Sequence, residues 1–326
     1  MTNSTPLTRR TILASGAAAL AATATPSFAQ ANITTLVVPF PPGGSTDALA
    51  RLLQPGLQEK LGRTVLVENR AGAAGSIGAA QVAKGAPDGT SLLITFDSHA
   101  VIPAILEKPP VDVEKELVPV FLVGTAPYVV ATGTDKPFKS FADVIAAAKA
   151  KDGSVTYGSV GIGTIGHLAM TVLGKRAGVN LTHVAYRGGG PAMNDLIGGH
   201  VDLVCGSAAL ISPHITGGKA RPVMQLGAKR LDRFKDTQTA IEAGFPDFTA
   251  EAWWGVFAPK ATPAAMVDDI AQKFKAVISD PTISARLRET QEMTLIMGGP
   301  KELGTFFDKE LKAWGKVVRD NSIKAQ

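Results

Sequence analysis

The sequence predicts an α/β protein of two domains with mostly parallel sheets, and three observations lead to this prediction. The chain has 326 residues, which is long enough for two domains. Its apolar fraction of 45% is sufficient for a large buried core. Short apolar runs alternate with segments of helical periodicity, and glycine-rich loops join them. Such alternation is typical of parallel, doubly wound sheets.

The first strand–loop–helix unit spans residues 35–62. Residues 35–40 are β-branched and apolar, which predicts a strand. Pro41-Pro42-Gly43-Gly44 ends that strand, because proline lacks a ladder donor and glycine relaxes the backbone. Ser45, Thr46 and Asp47 offer N-cap oxygens to a helix that Gly62 ends. Free amides and the helix dipole make this turn a possible anion site without any basic side chain.

The rest of the first domain continues the same pattern. We predict strands at 65–68 and 91–96, a helix at 76–84, and loop with a short helix at 103–119. Residues 118–130 form two apolar runs that we expect to be broken at Gly124 to Pro127. The chain is expected to cross to the second domain there.

The second domain repeats this pattern before the chain returns. We predict strands at 154–159, 181–186, 201–205 and 221–226, and helices at 141–150, 167–175 and 191–197. Residues 229–252 are a polar connection, and 253–259 form the return strand. Helices at 262–279, 280–291 and 300–318 complete the chain. We therefore predict a discontinuous first domain, 32–126 with 254–326, a second domain, 127–253, and a hinge where the chain crosses twice.

Residues 1–31 are predicted to be an export signal that is removed. Thr8-Arg9-Arg10-Thr11-Ile12-Leu13 has the twin-arginine pattern, and an alanine-rich stretch follows it. Cleavage is expected near Ala29 or Ala31. An ordinary secretory signal that contains two arginines is the alternative, and both predict a soluble protein in the periplasm.

Charge, cysteine and histidine content exclude several classes of protein. The formal charge is +5, or +3 without the signal, and no basic run resembles a nucleic-acid footprint. Cys205 is the single cysteine and lies in an apolar strand, which favours a buried position. The five histidines show no metal-ligand spacing. We expect no metal, no cofactor and no nucleic-acid partner.

Three glycine-rich turns each follow a predicted strand and precede a predicted helix. They span residues 41–46, 161–166 and 188–191. In open α/β sheets, ligands bind at the carboxyl ends of strands, where such turns gather. If the two domains face each other, amides from both could hold one anion. Three unrelated structural turns are the alternative.

The second turn also matches GxGxxG, through Gly161, Gly163 and Gly166, and so leaves a dinucleotide alternative open. The acidic residue expected about 20 positions later is missing. Tyr186 and Arg187 stand at the end of the next strand, so only an NADP-like interpretation remains. An exported NADP-dependent oxidoreductase is therefore the second hypothesis.

Several side chains next to these turns have two possible roles. His99 and His167 could bind a ligand or serve the structure. Asp47 could be catalytic, although capping of its helix is favoured. Arg187 could bind a ligand carboxylate through two hydrogen bonds or remain solvated. Trp253 and Trp254 are expected to pack at the hinge.

A series of motifs resembles the Bug family, the TctC-like receptors of tripartite tricarboxylate transporters. The motifs are VVPFPPGGSTD, VENRAGAAGSIGA, APDGTSLL, GTIGHLA, HVAYRGGGPAMNDLIGGHVD and AWWGVFAPKATP, in order over residues 33–320. The resemblance implies a two-domain periplasmic-binding-protein fold, type II-like, with a hinge and an interdomain cleft. It implies that backbone amides and ordered water hold the carboxyl group of a small ligand.

The resemblance also implies a set of ligand contacts: Phe40, Pro41, Pro42, Gly43, Gly44, Ser45, Thr46, Asp47, Ser98, His99, Gly163, Thr164, His167, Tyr186, Arg187, Gly188, Gly189, Gly190 and Pro191. Arg187 replaces a lysine that is frequent at this motif, and its forked guanidinium could change ligand preference. Asp97 could disfavour a bulky anion if it points into the cleft.

The first hypothesis is therefore a monomeric, non-enzymatic receptor that delivers a carboxylate to a membrane transporter. Ligand binding would shift an equilibrium between open and closed forms. Amino acids, dicarboxylates, citrate-like acids and aromatic acids all carry the carboxylate that amide donors recognise. The role could instead be sensory if no transporter is present.

Overall fold

The computed structural model describes residues 33–323, and the predicted export signal lies outside them. Within this range the chain forms ten strands: β1 (Ile33–Val38), β2 (Thr64–Asn69), β3 (Ser91–Phe96), β4 (Leu117–Gly133), β5 (Thr156–Ser159), β6 (Thr182–Ala185), β7 (Leu203–Ser207), β8 (Ala220–Gln225), β9 (Glu251–Pro259) and β10 (Thr294–Gly298). In the same range it forms ten α-helices: α1 (Ser45–Leu61), α2 (Ser76–Ala83), α3 (Ile102–Ile105), α4 (Phe141–Ala150), α5 (Ile165–Ala177), α6 (Gly189–Ile197), α7 (Ala208–Thr216), α8 (Ala264–Ile278), α9 (Pro281–Gln291) and α10 (Pro300–Asp320).

The strands join in the order β2-β1-β3-β9-β4-β7-β5-β6, and β8 and β10 also pair with β4. β1 is parallel to β2 and β3, and β5 is parallel to β6 and β7. The predicted parallel units are therefore present at both ends of the sheet. Every pair that includes β4 or β9 is antiparallel, because these strands carry the chain between the two ends in opposite directions.

Strand β4 runs without interruption through Gly124 to Pro127, so the predicted break there is wrong. Gly124 allows the backbones of β4 and β10 to approach each other closely and does not form a turn. A Cβ on Gly124 would lie 2.3 Å from the carbonyl oxygen of Thr294 on β10. The early part of β4 pairs with β9 and β10, and its later part with β7 and β8. We call the part built on β1–β3, β9 and β10 the first half, and the part built on β5–β8 the second half. The domain boundaries given above stay a prediction.

Local signals account for several element ends. Gly62 and Gly178 end α1 and α5 in the left-handed conformation, with φ of 65° and 64°. Ser140 and Asp143 form a capping box at the start of α4. Helix α7 and strand β10 were not predicted. Both depend on neighbours distant in sequence, since β10 pairs with β4 and α7 packs on α9.

Strand β9 anchors the core on both faces of the sheet. Trp253 and Trp254 are fully buried and point to opposite faces, as successive strand residues do. The Trp253 ring packs against Phe306 and Phe307 of α10, and the Trp254 ring lies 5.4 Å from Phe96 of β3.

None of the helices in residues 33–323 combines the length and the hydropathy that a membrane span requires.

Candidate ligand-binding site

A small cavity of about 20 Å³, which we call the inner cavity, lies between the two halves. Its polar wall consists of three helix starts, those of α1, α6 and α7. The residues of this wall are Gly44, Ser45, Thr46, Gly188, Gly189 and Ser207. Its apolar wall consists of Phe40, Phe96, Tyr128, Val160 and Leu210. No lysine, arginine or histidine lines this cavity, so only amides, hydroxyls and helix dipoles can attract an anion there.

The first glycine loop is held in place by Asp47. The helix begins at Ser45, with Gly44 as its N-cap, so the prediction that Ser45, Thr46 or Asp47 would be the N-cap is wrong. The Asp47 carboxylate instead accepts a hydrogen bond of 3.0 Å from the amide of Gly43. Burial raises the pKa of Asp47, but hydrogen bonds from Arg51, Gly43 and Asn69 outweigh burial and lower it below its usual value. Asp47 therefore acts as an ionised brace for the loop.

The first and third glycine loops touch each other across the cleft. A Cβ on Gly188 would lie 2.9 Å from Cδ of Pro41, and one on Gly190 would lie 3.3 Å from the carbonyl oxygen of Pro42. Gly188 has a φ of 150°, which favours glycine. A Cβ on Gly44 would lie 3.8 Å from the amide nitrogen of Gly189. The starts of α1 and α6 thus face each other at close range.

Four backbone amides at these two helix starts have no acceptor in the part of the protein that the structure describes, and three of the four residues, Ser45, Thr46 and Gly189, line the inner cavity. The amides belong to Ser45, Thr46, Gly189 and Gly190, and none of them donates to an acceptor within residues 33–323. The first amides of a helix have no partner inside the helix and need one from outside. Two of these amides belong to the first half and two to the second half. Pro191 follows them in the first turn of α6, where its missing N–H removes no intrahelical hydrogen bond.

The second glycine loop is occupied by contacts within the protein. The Gly163 amide donates to Nδ1 of His167 at 3.1 Å, and the Thr164 hydroxyl donates to the carbonyl of Gly161. A Cβ on Gly163 would lie 2.3 Å from Cδ1 of Ile105, in the first half. Gly163, Thr164 and His167 therefore lie at the seam between the halves and line neither the inner cavity nor the larger pocket described below. Their predicted ligand contacts stay untested.

The same packing disfavours a dinucleotide at the GxGxxG turn. Pyrophosphate binding requires close access to the glycine backbone. A Cβ on Gly163 would lie 2.3 Å from Cδ1 of Ile105, so this side chain covers one side of the turn. The covered backbone of Gly163 disfavours a pyrophosphate there.

The imidazole of His167 stacks on that of His183, with ring centroids 4.0 Å apart. Nε2 of His183 lies 2.8 Å from the hydroxyl of Ser159. Burial lowers the pKa of His167 to about 4. Burial and the neighbouring His167 lower the pKa of His183 to about 3. Both rings are therefore neutral near pH 7 and support the second loop.

Ser98 and His99 line neither the inner cavity nor the larger pocket described below, and their ligand contacts stay a prediction. The buried His99 ring packs against Phe257 and Phe307, and burial lowers its pKa to about 3. The Ser98 hydroxyl donates to the carbonyl of Ala74. The orientation of His99 follows from its packing against Phe257 of β9 and Phe307 of α10. The spacing of residues in the sequence does not show such a contact between distant segments.

Asp97 also points away from a ligand and into the protein. It is fully buried, and its Oδ2 accepts a hydrogen bond of 2.8 Å from the hydroxyl of Tyr128. Burial raises the pKa of Asp97 well above its usual value, although the bond from Tyr128 opposes this. Burial therefore favours the neutral form of this carboxyl. Because Asp97 follows β3 and Tyr128 belongs to the later part of β4, this pair joins the two halves behind the inner cavity.

A larger pocket of about 490 Å³, which we call the outer pocket, adjoins the inner cavity. Phe40 and Val160 line both spaces. The first half supplies residues 71–75, Ile105 and Leu106, and the second half supplies residues 160–162 and 185–187. Of these, the sequence predicted Phe40, Tyr186 and Arg187. The loop at 71–75 could have been found, because it follows the carboxyl end of a predicted strand.

Tyr186 and Arg187 stand at the rim of the outer pocket. The Tyr186 hydroxyl donates to Oδ2 of Asp195 at 2.7 Å, which fixes its ring over β5 beside Gly158. Arg187 is exposed. Its predicted ligand contact stays a prediction.

Two α/β halves around a cleft with opposed helix starts define a two-domain periplasmic binding protein. Residues 49–323 match the sequence model of the tripartite tricarboxylate transporter family receptor, TctC. The chain belongs to this family, the TctC-like receptors that include the Bug proteins.

Individual relatives agree over nearly the full length. Protein BugT of Bordetella pertussis is 34% identical over 291 residues, which cover 89% of this chain and 89% of BugT. The solved structure of the periplasmic binding protein BugD has a TM-score of 0.85 and 31% identity, and covers 90% of this chain and 99% of its own. MatC from Rhodopseudomonas palustris, solved with bound malate, has a TM-score of 0.82 and 28% identity, and covers 88% and 99%.

Proposed function

We propose that this protein captures a small carboxylate in its cleft and delivers it to a tripartite tricarboxylate-type membrane transporter. The single observation that carries the proposal is the meeting of the α1 and α6 starts, whose four free amides come from opposite halves. The malate bound to MatC supports the same class of ligand. The role requires binding and release, and we assign no catalytic residue.

The inner cavity suits one oxygen of a carboxylate group. Its volume of about 20 Å³ admits a group of roughly the size of a water molecule. Amides of Ser45 and Thr46 would hold one side of the group and those of Gly189 and Gly190 the other. Hydrogen bonds to an ionised acceptor contribute about 1.5–3 kcal/mol each, more than neutral ones. The aromatic walls exclude water and strengthen this attraction.

A ligand held from both sides would favour the closed form of the cleft, because an open form offers amides from only one half at a time. Movement would take place about the crossings near residues 126–127 and 253–254, the proposed domain boundaries. The closed form would then dock on the transporter. Export through the twin-arginine signal would place the receptor in the periplasm.

A thermal-shift screen of the chain without residues 1–31 tests this proposal. The panel contains malate, citrate, glutamate, benzoate and longer dicarboxylates, with NADPH as the alternative ligand. A carboxylate at about 100 times its dissociation constant should stabilise the fold by about 2.7 kcal/mol, which is visible as a higher Tm. Stabilisation by NADPH alone, with none by any carboxylate, would contradict the proposal.

A further inference from the structure

One ion pair joins the two halves of the protein. The guanidinium of Arg233, in the segment after β8, meets the carboxylate of Glu292, which follows α9 in the first half. Among the ion pairs within residues 33–323, this is the one that crosses between the halves. The Glu292 side chain is 11% exposed and that of Arg233 is 38% exposed, so water screens their attraction only in part.

The other nitrogens of this guanidinium extend the contact to both halves. Nη2 donates to the carbonyl of Glu289 in the last turn of α9. Nη1 donates to the hydroxyl of Thr216 at the end of α7, at 3.3 Å. The Ser212 hydroxyl of α7 also donates to the Glu292 carboxylate, at 3.5 Å. Arg233 therefore ties α7 to α9, and we call the ion pair with these hydrogen bonds the clasp.

The loop that carries Arg233 is fixed to the second half by Gln225. The side chain of Gln225 is fully buried at the end of β8. Its Nε2 donates to the carbonyls of Phe234 and Thr237, each at 2.8 Å. Its Oε1 accepts a hydrogen bond of 2.9 Å from the amide of Leu231. Because the loop is already ordered, formation of the clasp costs little further conformational entropy.

Glu292 occupies a backbone position that favours glycine. Its φ is 51° at the end of α9, where glycine is the usual residue because it has no Cβ. Backbone strain of this kind is retained where the surrounding structure or the function requires it. The glutamate therefore supplies its carboxylate to the clasp in spite of an unfavourable backbone conformation.

The clasp continues the two walls of the inner cavity. Helix α7 begins at that cavity, where Ser207 and Leu210 line it, and its later turns reach the clasp. Helix α9 packs against α1, whose start forms the opposite wall. A movement that separates these helix starts would therefore also draw α7 away from α9 and break the clasp.

We propose that the clasp holds the two halves closed, so that Arg233 and Glu292 set the ligand affinity without touching the ligand. Neither residue lines the inner cavity or the outer pocket. The inference rests on the proposed function, in which the closed form binds the carboxylate. Apparent affinity is proportional to the fraction of molecules in the binding-competent form, so a weaker clasp lowers it. Arg233 and Glu292 are therefore positioning residues.

Small-angle scattering and calorimetric titration of the chain without residues 1–31 test the clasp. In the absence of ligand, Arg233→Gln and Glu292→Gln should each increase the radius of gyration, because more molecules are open. Each should weaken binding about fivefold to tenfold for the acid of the thermal-shift panel that raises Tm most. The double variant should be no weaker than either single variant, because both substitutions remove the same interaction.

Arg230→Gln is the matched control. Arg230 pairs with Glu242 inside the second half, donates to the carbonyl of Lys235 and is 36% exposed. This variant removes an equivalent ion pair that does not join the halves, so it should change neither the radius of gyration nor the affinity.

Glu292→Gly separates the clasp from local stability. It removes the carboxylate and relieves the left-handed backbone. Binding should therefore weaken as in Glu292→Gln, while the urea midpoint should equal or exceed that of Glu292→Gln. A merely structural role of Glu292 would instead leave the affinity of both variants unchanged.

The two measurements separate the inference from the proposed function. An unchanged radius of gyration in Arg233→Gln and Glu292→Gln overturns the clasp, whether or not an acid binds. An unchanged or higher affinity in these variants also overturns it and leaves the receptor function standing. If no acid of the panel binds the wild type, the proposed function fails, and the radius of gyration still decides whether the clasp holds the halves together.

Discussion

Replacing Gly44 by alanine adds one methyl group at the seam between the two halves. Gly44 has φ −86° and ψ 171°, an extended conformation that alanine adopts without strain. The added Cβ would lie 3.8 Å from the amide nitrogen of Gly189, which is ordinary van der Waals contact. The protein should therefore fold, with a stability loss of about 1 kcal/mol because alanine is a poorer N-cap than glycine.

The methyl group occupies space that the bound carboxylate needs. The inner cavity measures about 20 Å³, so a group of this size blocks access to the Gly189 amide. Loss of one hydrogen bond to a charged acceptor corresponds to about 1.5–3 kcal/mol. We therefore expect Gly44→Ala to weaken carboxylate binding between about tenfold and a hundredfold.

Calorimetric titration with the best ligand of the thermal-shift screen measures this effect. Gly304→Ala is the matched control, because a Cβ there would also lie 3.8 Å from its nearest neighbour, Cγ of Pro119. That control lies in α10, where alanine should stabilise the helix by about 1 kcal/mol without any effect on affinity. Wild-type affinity in a folded Gly44→Ala variant would refute the proposed convergence of amides.

Three further variants, at Asp47, Asp97 and His183, test residues that hold the loops and halves around the site in place. Asp47→Asn should lower the free energy of unfolding by about 1–2 kcal/mol and weaken carboxylate binding, because the Gly43 amide loses its ionised acceptor. An unchanged urea unfolding midpoint together with an unchanged dissociation constant would contradict this. Asp97 has a raised pKa in the folded protein, so its stability contribution is present below about pH 4 and is lost as pH rises through that raised pKa. Asp97→Asn should therefore gain stability relative to wild type as pH increases, and a constant difference in urea midpoints from pH 4 to 8 would argue against it. The pKa of His183 is lowered to about 3, so its effect on stability has the opposite pH dependence. Its contribution to the free energy of unfolding is present above about pH 6.5 and decreases as the pH falls below that value. His183→Gln should reduce that acid-induced loss by about 2 kcal/mol, allowing for the partial exposure of the ring, and an unchanged loss in the same unfolding series would contradict this.

Much of the fold could be predicted because its signals are local. Gly62 and Gly178 end helices by adopting a conformation that other residues avoid, and Ser140 caps a helix through its own side chain. Strand β10 could not be predicted, because its formation depends on pairing with Gly124 and neighbouring residues of β4. The uninterrupted course of β4 past Pro127 depends on β9 in the same way.

The candidate site could also be predicted only in part from the sequence. The rule that ligands gather at the carboxyl ends of strands led to the first and third glycine loops, whose amides face each other. Side-chain direction was not available from the sequence. His99 turns into the aromatic core and His167 accepts the Gly163 amide, and both orientations follow from packing between distant segments.

An NMR titration of the amide nitrogens tests the central claim most directly. Addition of a binding carboxylate to protein labelled with ¹⁵N should shift the amide signals of Ser45, Thr46, Gly189 and Gly190 together, with one common dissociation constant. Gly304 provides an internal signal that should stay in place. Shifts confined to one half, or to residues remote from both helix starts, would contradict the account.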